Sequence, residues 1–400
     1  METYQIIQDG DDYLLPTYNR QKVVLMRGEG VHVYDSERTV YLDFFSGIAV
    51  NGLGHTCPEV VNAIIEEAKK LGHVSNYYYN EPNVKLAKLL CEISFAQKVF
   101  FCNSGAEAVE AALKLARKYF RGKGEDKYEI ISFYNSFHGR TFGAISATGQ
   151  VKYQEGLDPL LPGFKFATYN NIESVKKLLT DKTAAVLIET IQCEGGVRPA
   201  EPKFLKELRA WTTENGILLI LDEVQTGLGR TGKMWAYEHY NIEPDMMTSA
   251  KALGGGLPMG ALLVTNQAAQ GFKPGDHAST FGGNPIVSAA SIATIETIIM
   301  KDLVSHAVKE GEYLKQGLVA IQKAHPDLFT EVRGIGLLLG MEMTRKAASL
   351  VNHCLKQGLL VGSAYETVLR FLPPLIITHA EIDQALDKLK KAIAEELKSV

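Results

Sequence analysis

The chain has 400 residues, of which 46% are hydrophobic and 22% charged, and a formal net charge of −4. This is ordinary globular composition, with apolar material for a large core and enough chain for two or three domains, or one large α/β domain with an appendage. The charge balance gives no electrostatic reason to expect nucleic acid or an anionic membrane as partner, and no apolar run approaches the ~20 residues needed to span a bilayer.

In chain order, residues 1–20 carry Asp9, Asp11 and Asp12 and no apolar stretch, so no signal peptide is expected. The five cysteines (Cys57, Cys91, Cys102, Cys193 and Cys354) are odd in number and lack CxxC spacing. They predict reduced thiols in a cytoplasmic compartment, with neither a disulfide framework nor a metal site. From about residue 20 to 50, KVVLMRGEGVHVYDSERTVYLDF alternates β-branched and polar residues around Gly28 and Gly30, which predicts short strands and turns. Beyond it, strands are expected at Lys98–Cys102, Glu129–Phe133, Ala184–Glu189, Ile217–Asp222 and Ala261–Thr265. Helices are expected at Glu107–Phe120, Ile172–Leu179, Lys203–Asn215 and Ile286–Ile299. Such alternation predicts an α/β fold with a mainly parallel central sheet flanked by helices.

The end of the chain changes character. LFTEVRGIGLLLGMEM reads as a hairpin, followed by a helix at Ala348–Lys356, a strand at Val368–Phe371 and an amphipathic helix from His379. Together with the N-terminal strands, this predicts a smaller α+β domain built from residues 1–60 and 301–400, around a large domain at 61–300.

Several stretches carry residues suited to chemistry. ILLILDEVQTGLGRTGKM, Ile217–Met234, ends an apolar run on Asp222, a carboxylate that is costly to bury unless paired. Its Gly227–Lys233 segment approaches a triphosphate-binding loop, which would make the chain a nucleotide hydrolase. Met234, however, stands where a magnesium-binding Ser or Thr is needed, and a surface turn explains the glycines as well. In VFFCNSGAEAVEAALKLARKYF, Ser104 and Glu107 have capping-box spacing. Capping alone accounts for them, but a helix start with Gly105 also offers amides and a positive dipole end to an anion. In NSFHGRTFG, Phe137 can stack on a planar ring and Arg140 can clamp a carboxylate, or both can be ordinary core and surface residues. Lys251, set among small residues in TSAKALGGGLPMGA, is either solvated or, if shielded, a nucleophile. Taken together, this order of an anion site, a ring-stacking aromatic, a strand-end acid and a lysine suits pyridoxal 5'-phosphate.

The same residues carry a resemblance. PTYNR, YLDFFSGIAVNGLGH, FFCNSGAEAVEAALKLARK, NSFHGRT, DEVQTGLGRTGK, HASTFGGNP and LRFLPPLI together resemble the class III, fold-type-I aminotransferases over nearly the whole chain. The resemblance implies that Lys251 joins the cofactor's aldehyde, Asp222 pairs with its pyridine nitrogen and Gln225 contacts the ring hydroxyl. It implies that Val224 and Phe137 take the two ring faces, with His138 in the same binding set. Ser104, Gly105 and Ala106 would hold the phosphate, and Thr280 would reach the phosphate of the partner subunit in a homodimer with shared sites. For substrates, Arg140 would hold a carboxylate and Arg370 the α-carboxylate of glutamate. Glu194 would pair with Arg370 when a substrate lacks that group, and Tyr77 and Ser279 complete the set.

The implied reaction passes the terminal amine of N-acetylornithine to 2-oxoglutarate, as in arginine biosynthesis. Ornithine, succinylornithine and 4-aminobutyrate are the alternative donors. Ile48, where the ornithine enzymes carry Tyr, favours the acylated donor. Three positions depart from the family pattern: Thr190 for Pro, Cys193 for Gly and Ala252 for Gly. The first two flank Glu194.

Overall fold

The computed structural model describes residues 2–398. The N-terminal alternation forms an antiparallel meander of β1 (Leu25–Glu29), β2 (His32–Asp35) and β3 (Val40–Asp43). The next strands are β4 (Lys98–Cys102), β5 (Glu129–Phe133), β6 (Phe164–Ala167) and β7 (Thr183–Glu189). A small ribbon of β8 (Ile191–Gln192) and β9 (Arg198–Pro199) follows, then β10 (Leu218–Asp222), β11 (Met246–Ser249) and β12 (Gly260–Val264). Seven of these make the central sheet, in the order β4-β12-β11-β10-β7-β5-β6. Every residue of β7, β10, β11 and β12 is buried, as expected of strands covered on both faces.

The sheet is mixed. The pairs around β10, β7 and β5 are parallel, while β12 runs antiparallel to both β11 and β4. The cause lies in the β11–β12 connection, residues 250–259. It is shorter than the crossover of about a dozen or more residues that parallel neighbours require. It closes as a 3-10 turn over Lys251–Gly254.

On one face lies the helix Gly105–Gly122, which buries Ala108, Val109, Ala112, Leu115, Ala116 and Tyr119, a helical stripe facing the sheet. The helix Pro285–Met300 packs against Pro58–Ala68 and Glu81–Glu92.

The C-terminal strands β13 (Phe329–Ile335), β14 (Leu338–Met343), β15 (Leu359–Leu360), β16 (Gly362–Ala364) and β17 (Val368–Phe371) follow. Four of them form an antiparallel sheet in the order β13-β14-β17-β16, and β15 instead pairs in parallel with β3. The two chain ends therefore share one sheet. The helix Leu303–Ala324 packs against β13, and the helix His379–Glu396 starts at a Thr378–Glu381 capping box.

The sequence expectation for Ile172–Leu179 was too long, since that helix is Ile172–Lys176. No helix among the described residues is long and apolar enough to cross a membrane.

Candidate active site

A cavity of about 400 Å³ opens at the carboxyl ends of the parallel strands, the usual ligand position in open α/β sheets. The connections that follow β4, β5, β7, β10 and β11 supply most of its walls. After β4 the chain turns into the helix Gly105–Gly122, and Ser104 caps it by accepting the Glu107 N–H at 3.2 Å. The first-turn amides, at Gly105 and Ala106, have no intrahelical partner and suit an anion. Both residues line the cavity. Gly105 also faces Val224 so closely that an added Cβ would lie 2.8 Å from Val224 Cγ1.

β10 ends on Asp222, which is buried at the cavity. Its Oδ2 pairs with His138 Nδ1 at 2.7 Å. Its Oδ1 accepts the Val224 N–H and the Thr248 hydroxyl, both at 3.1 Å. Burial of this acid is therefore compensated on both oxygens. His138 Nε2 is buried with no hydrogen-bond partner among the described residues.

Lys251 follows β11 with φ of 46°, a left-handed conformation uncommon for a side-chain-bearing residue, and lines the cavity. Burial pushes its amine below the ordinary lysine range, against the opposing pull of Glu194. Glu194 itself would be raised by burial, but Arg370 and then Lys251 overcome this and hold the carboxylate below its usual range. Arg370 Nη1 meets Glu194 Oε1 at 2.5 Å and Gln225 Oε1 at 3.2 Å. The guanidinium is 2% exposed against 22% for Glu194. Burial, with the nearby Asp222, drives the Glu189 carboxyl well above the carboxylate range. That carboxyl accepts the N–H of Phe137 at 3.0 Å and of Cys193 at 3.3 Å.

The fold thus brings together Ser104, Gly105, Ala106, Phe137, His138, Glu194, Asp222, Val224, Gln225 and Lys251 around one space, with Arg370 behind Glu194. Other expected residues lie outside it. Arg140 is exposed, its guanidinium carbon 4.0 Å from the centre of the Tyr153 ring. Thr280 is exposed and Tyr77 is 92% exposed. Ser279 stands one step from the cavity, its hydroxyl accepting from Asn103 Nδ2 at 3.2 Å.

Sequence reasoning overlooked Glu189, although it ends the strand run Ala184–Glu189 as Asp222 ends its own. It also overlooked Thr248, whose strand β11 is too short to show periodicity.

The Gly227–Lys233 segment is not a phosphate loop. No α-helix starts directly after it, and its amides bond within the turn: Gly227 N–H to Glu223 O at 3.2 Å and Gly232 N–H to Gly229 O at 3.0 Å. An added Cβ at Gly227 would meet Trp235 at 2.8 Å, so the turn is packed into the interior, while Lys233 is exposed. The nucleotide-hydrolase alternative falls on this packing.

The cavity suits pyridoxal phosphate on its own chemistry. It has an amide-rich helix start for an anion, and Phe137 and Val224 in its lining offer apolar surface to a ring. It also has a fixed acid and a lysine amine that desolvation holds below the ordinary lysine range. Among the described residues no cluster of three metal-binding side chains occurs.

Known proteins agree with this geometry. The chain is 51% identical over 385 residues to the acetylornithine aminotransferase of Caldanaerobacter subterraneus subsp. tengcongensis, covering 96% of this chain and 98% of that one. An ornithine aminotransferase structure from Toxoplasma gondii, described with partial occupancy of PLP at its active site, superposes with a TM-score of 0.95. Its identity is 30%, over 99% of this chain and 95% of that chain. The N-acetylornithine aminotransferase structure from Stenotrophomonas maltophilia matches with a TM-score of 0.85 and 36% identity, over 98% and 100% of the two chains. The family model "Aminotransferase class-III" matches residues 15–393, so the chain belongs to the class-III aminotransferases.

Proposed function

We propose that this aminotransferase moves the terminal amino group of N2-acetyl-L-ornithine to 2-oxoglutarate, forming N-acetyl-L-glutamate 5-semialdehyde and L-glutamate, with pyridoxal 5'-phosphate as cofactor. The observation that carries it is the Arg370–Glu194 pair at 2.5 Å in the wall that holds Lys251. Such a pair accommodates a diacid, by releasing Arg370, and an amine that brings no carboxylate to that place, by staying closed. The names of the relatives at 51% and 36% identity support the donor. Ile48, partly exposed near the cavity residue Val50, supports an acylated donor over free ornithine.

When bound, the cofactor's aldehyde takes and returns the amino group and its ring withdraws electrons from the reacting carbon. The chain's residues do the rest. Asp222, oriented by His138 and Thr248, would keep a proton on the ring nitrogen. Phe137 and Val224 would hold the ring faces, Gln225 the ring hydroxyl, and Ser104 with the Gly105 and Ala106 amides the phosphate. Lys251 Nζ, biased toward its neutral form by burial, takes the proton from the substrate carbon and delivers it again, general base then general acid. Arg140, with Ser279 and Tyr77, would hold the donor's carboxylate end.

The same reading makes the protein a homodimer, with Thr280 completing the neighbouring site. Tyr77, Tyr78 and Tyr79 are 92%, 73% and 95% exposed. They adjoin the 277–283 loop through Asn76, which donates to Ser279 O at 3.1 Å, and large exposed apolar surfaces of this kind mark interaction sites. It also places the protein in the cytoplasm, in arginine biosynthesis, consistent with five unpaired cysteines. The β3–β15 pairing supports residues 1–60 and 301–400 as one small domain around 61–300.

The test is borohydride reduction followed by peptide mapping, with turnover of N-acetylornithine, ornithine, succinylornithine and 4-aminobutyrate measured side by side. Labelling of Lys251 and preference for N-acetylornithine are expected. A preference for free ornithine overturns the donor, and labelling of any other residue overturns the mechanism. Sedimentation velocity tests the dimer.

A further inference from the structure

Glu194 sits in the connection 193–197 between β8 and β9. The connection is a tight turn, with the N–H groups of Gly196 and Val197 both donating to Cys193 O, at 3.3 and 3.2 Å. Val197 is fully buried with φ of 54°, a conformation that β-branched residues rarely adopt and that persists only where its surroundings impose it.

Those surroundings are one row of the C-terminal sheet. Arg333 of β13 stands opposite Gly340 of β14, and Gly340 stands opposite Arg370 of β17. Cross-strand partners project to the same face, so the row presents two guanidinium groups with a gap between them. Arg370 meets the Glu194 side chain. Arg333 Nε donates to Gly196 O at 2.8 Å. Val197 fills the gap, because a Cβ on Gly340 would lie 3.0 Å from Val197 Cβ. Arg333 is itself immobilised. It is 7% exposed, with Nη1 on Glu331 at 2.6 Å and Nη2 on Glu342 at 2.5 Å, and Glu342 also accepts the Thr367 hydroxyl at 2.6 Å.

We infer that Arg333 is a positioning residue for the Glu194–Arg370 pair: by gripping Gly196 O it holds the turn so that Glu194 returns to Arg370 after each diacid leaves. The inference rests on the proposed two-substrate reading, and it concerns specificity rather than the chemical step. The amine half-reaction needs the pair closed, and the diacid half-reaction needs it open. Loosening the turn therefore penalises the first more than the second.

The test compares wild type with Arg333→Met, Arg333→Lys and Val197→Gly, each as holoenzyme, in the two half-reactions measured separately. For Arg333→Met, kcat/KM with the terminal amine should fall about 10-fold, chiefly through KM, and that with glutamate should change less than about 3-fold. Arg333→Lys keeps a donor and should recover part of the loss. Val197→Gly removes the side chain that seats the turn and should shift the ratio in the same direction, which keeps the test open if Arg333→Met does not fold. Independently of activity, hydrogen exchange at the Gly196 and Val197 amides should be about 10-fold faster in Arg333→Met apoenzyme. Equal losses in both half-reactions, or an unmoved ratio with unmoved amide exchange, overturn the role of Arg333 alone. A wild type that fails to deaminate glutamate overturns the two-substrate reading and this inference with it.

Discussion

Replacing Glu194 with Gln should separate the two half-reactions in opposite directions. Two unit charges about 4 Å apart interact by about 4 kcal/mol at an effective dielectric constant of about 20. Much of that is offset by stripping water from both groups. A hydrogen bond to a charged group retains a net of about 1.5–3 kcal/mol, and the 22% exposure of Glu194 favours the low end. On the proposed reading, a diacid has to displace this interaction before it reaches Arg370. The amide introduced by Glu194→Gln, a neutral acceptor roughly half as strong, would leave about 1 kcal/mol less to displace. The KM for glutamate and 2-oxoglutarate should then fall about 5-fold. The amine donor loses by the same logic. With no carboxylate opposite it, Arg370 keeps Gln225 Oε1 at 3.2 Å, a neutral amide and the Phe45 ring centred 5.9 Å from its guanidinium carbon, and its Nε has no partner among the described residues. The amine half-reaction should slow by about the same factor. Stopped-flow absorbance of each half-reaction reads both numbers. A rise in glutamate KM, or a change of both half-reactions in one direction, would refute the assignment of Glu194 as the competitor for Arg370.

Three further outcomes follow from the site. Lys251 is held below the ordinary lysine value of 10.5 by burial. A larger share of it is neutral at a given pH than of a free lysine, so the rate at which apoenzyme captures pyridoxal phosphate should rise with pH and level off before 10.5; a rate still climbing there contradicts the burial argument. Asp222→Asn leaves the His138 contact sterically possible but removes the charge that, on the proposed reading, would face the ring nitrogen, so kcat should drop roughly 10²–10⁴-fold, a loss comparable to that of a proton-transfer residue, with the melting curve little changed; near-normal kcat would displace Asp222 from its proposed role. Lys233→Ala, at an exposed position after a turn whose amides are internally bonded, should leave transamination within about 2-fold, as surface substitutions do, and magnesium-dependent ATP hydrolysis should be absent from wild type and variant alike.

Much of this protein can be read along the chain. Strand runs ending on Asp222 and Glu189 and the capped helix after Cys102 declare themselves within a few residues. Backbone sterics, capping and hydrophobic period act at that range. In an alternating β/α chain the strand ends gather on one edge of the sheet, so Lys251, Asp222, Phe137 and the Gly105 turn were legible as one constellation from their order alone. The C-terminal hairpin and the helix Ala348–Lys356 were legible for the same local reasons. Arg140 was read from its motif as a carboxylate clamp, Thr280 and Tyr77 were named by resemblance, and in the single chain all three stand outside the cavity.

The tertiary structure decided who meets whom, the Glu194–Arg370 pair having been implied beforehand only by resemblance. His138 reaches Asp222 across 84 residues and Arg370 reaches Glu194 across 176. β15 closes onto β3, β12 reverses within a parallel sheet, and the row Arg333–Gly340–Arg370 seats the Glu194 turn. None of these has a local signature. Strand order and register are settled by how whole faces bury one another, and a buried charge finds its partner only after that burial has placed both groups in the same low-dielectric space.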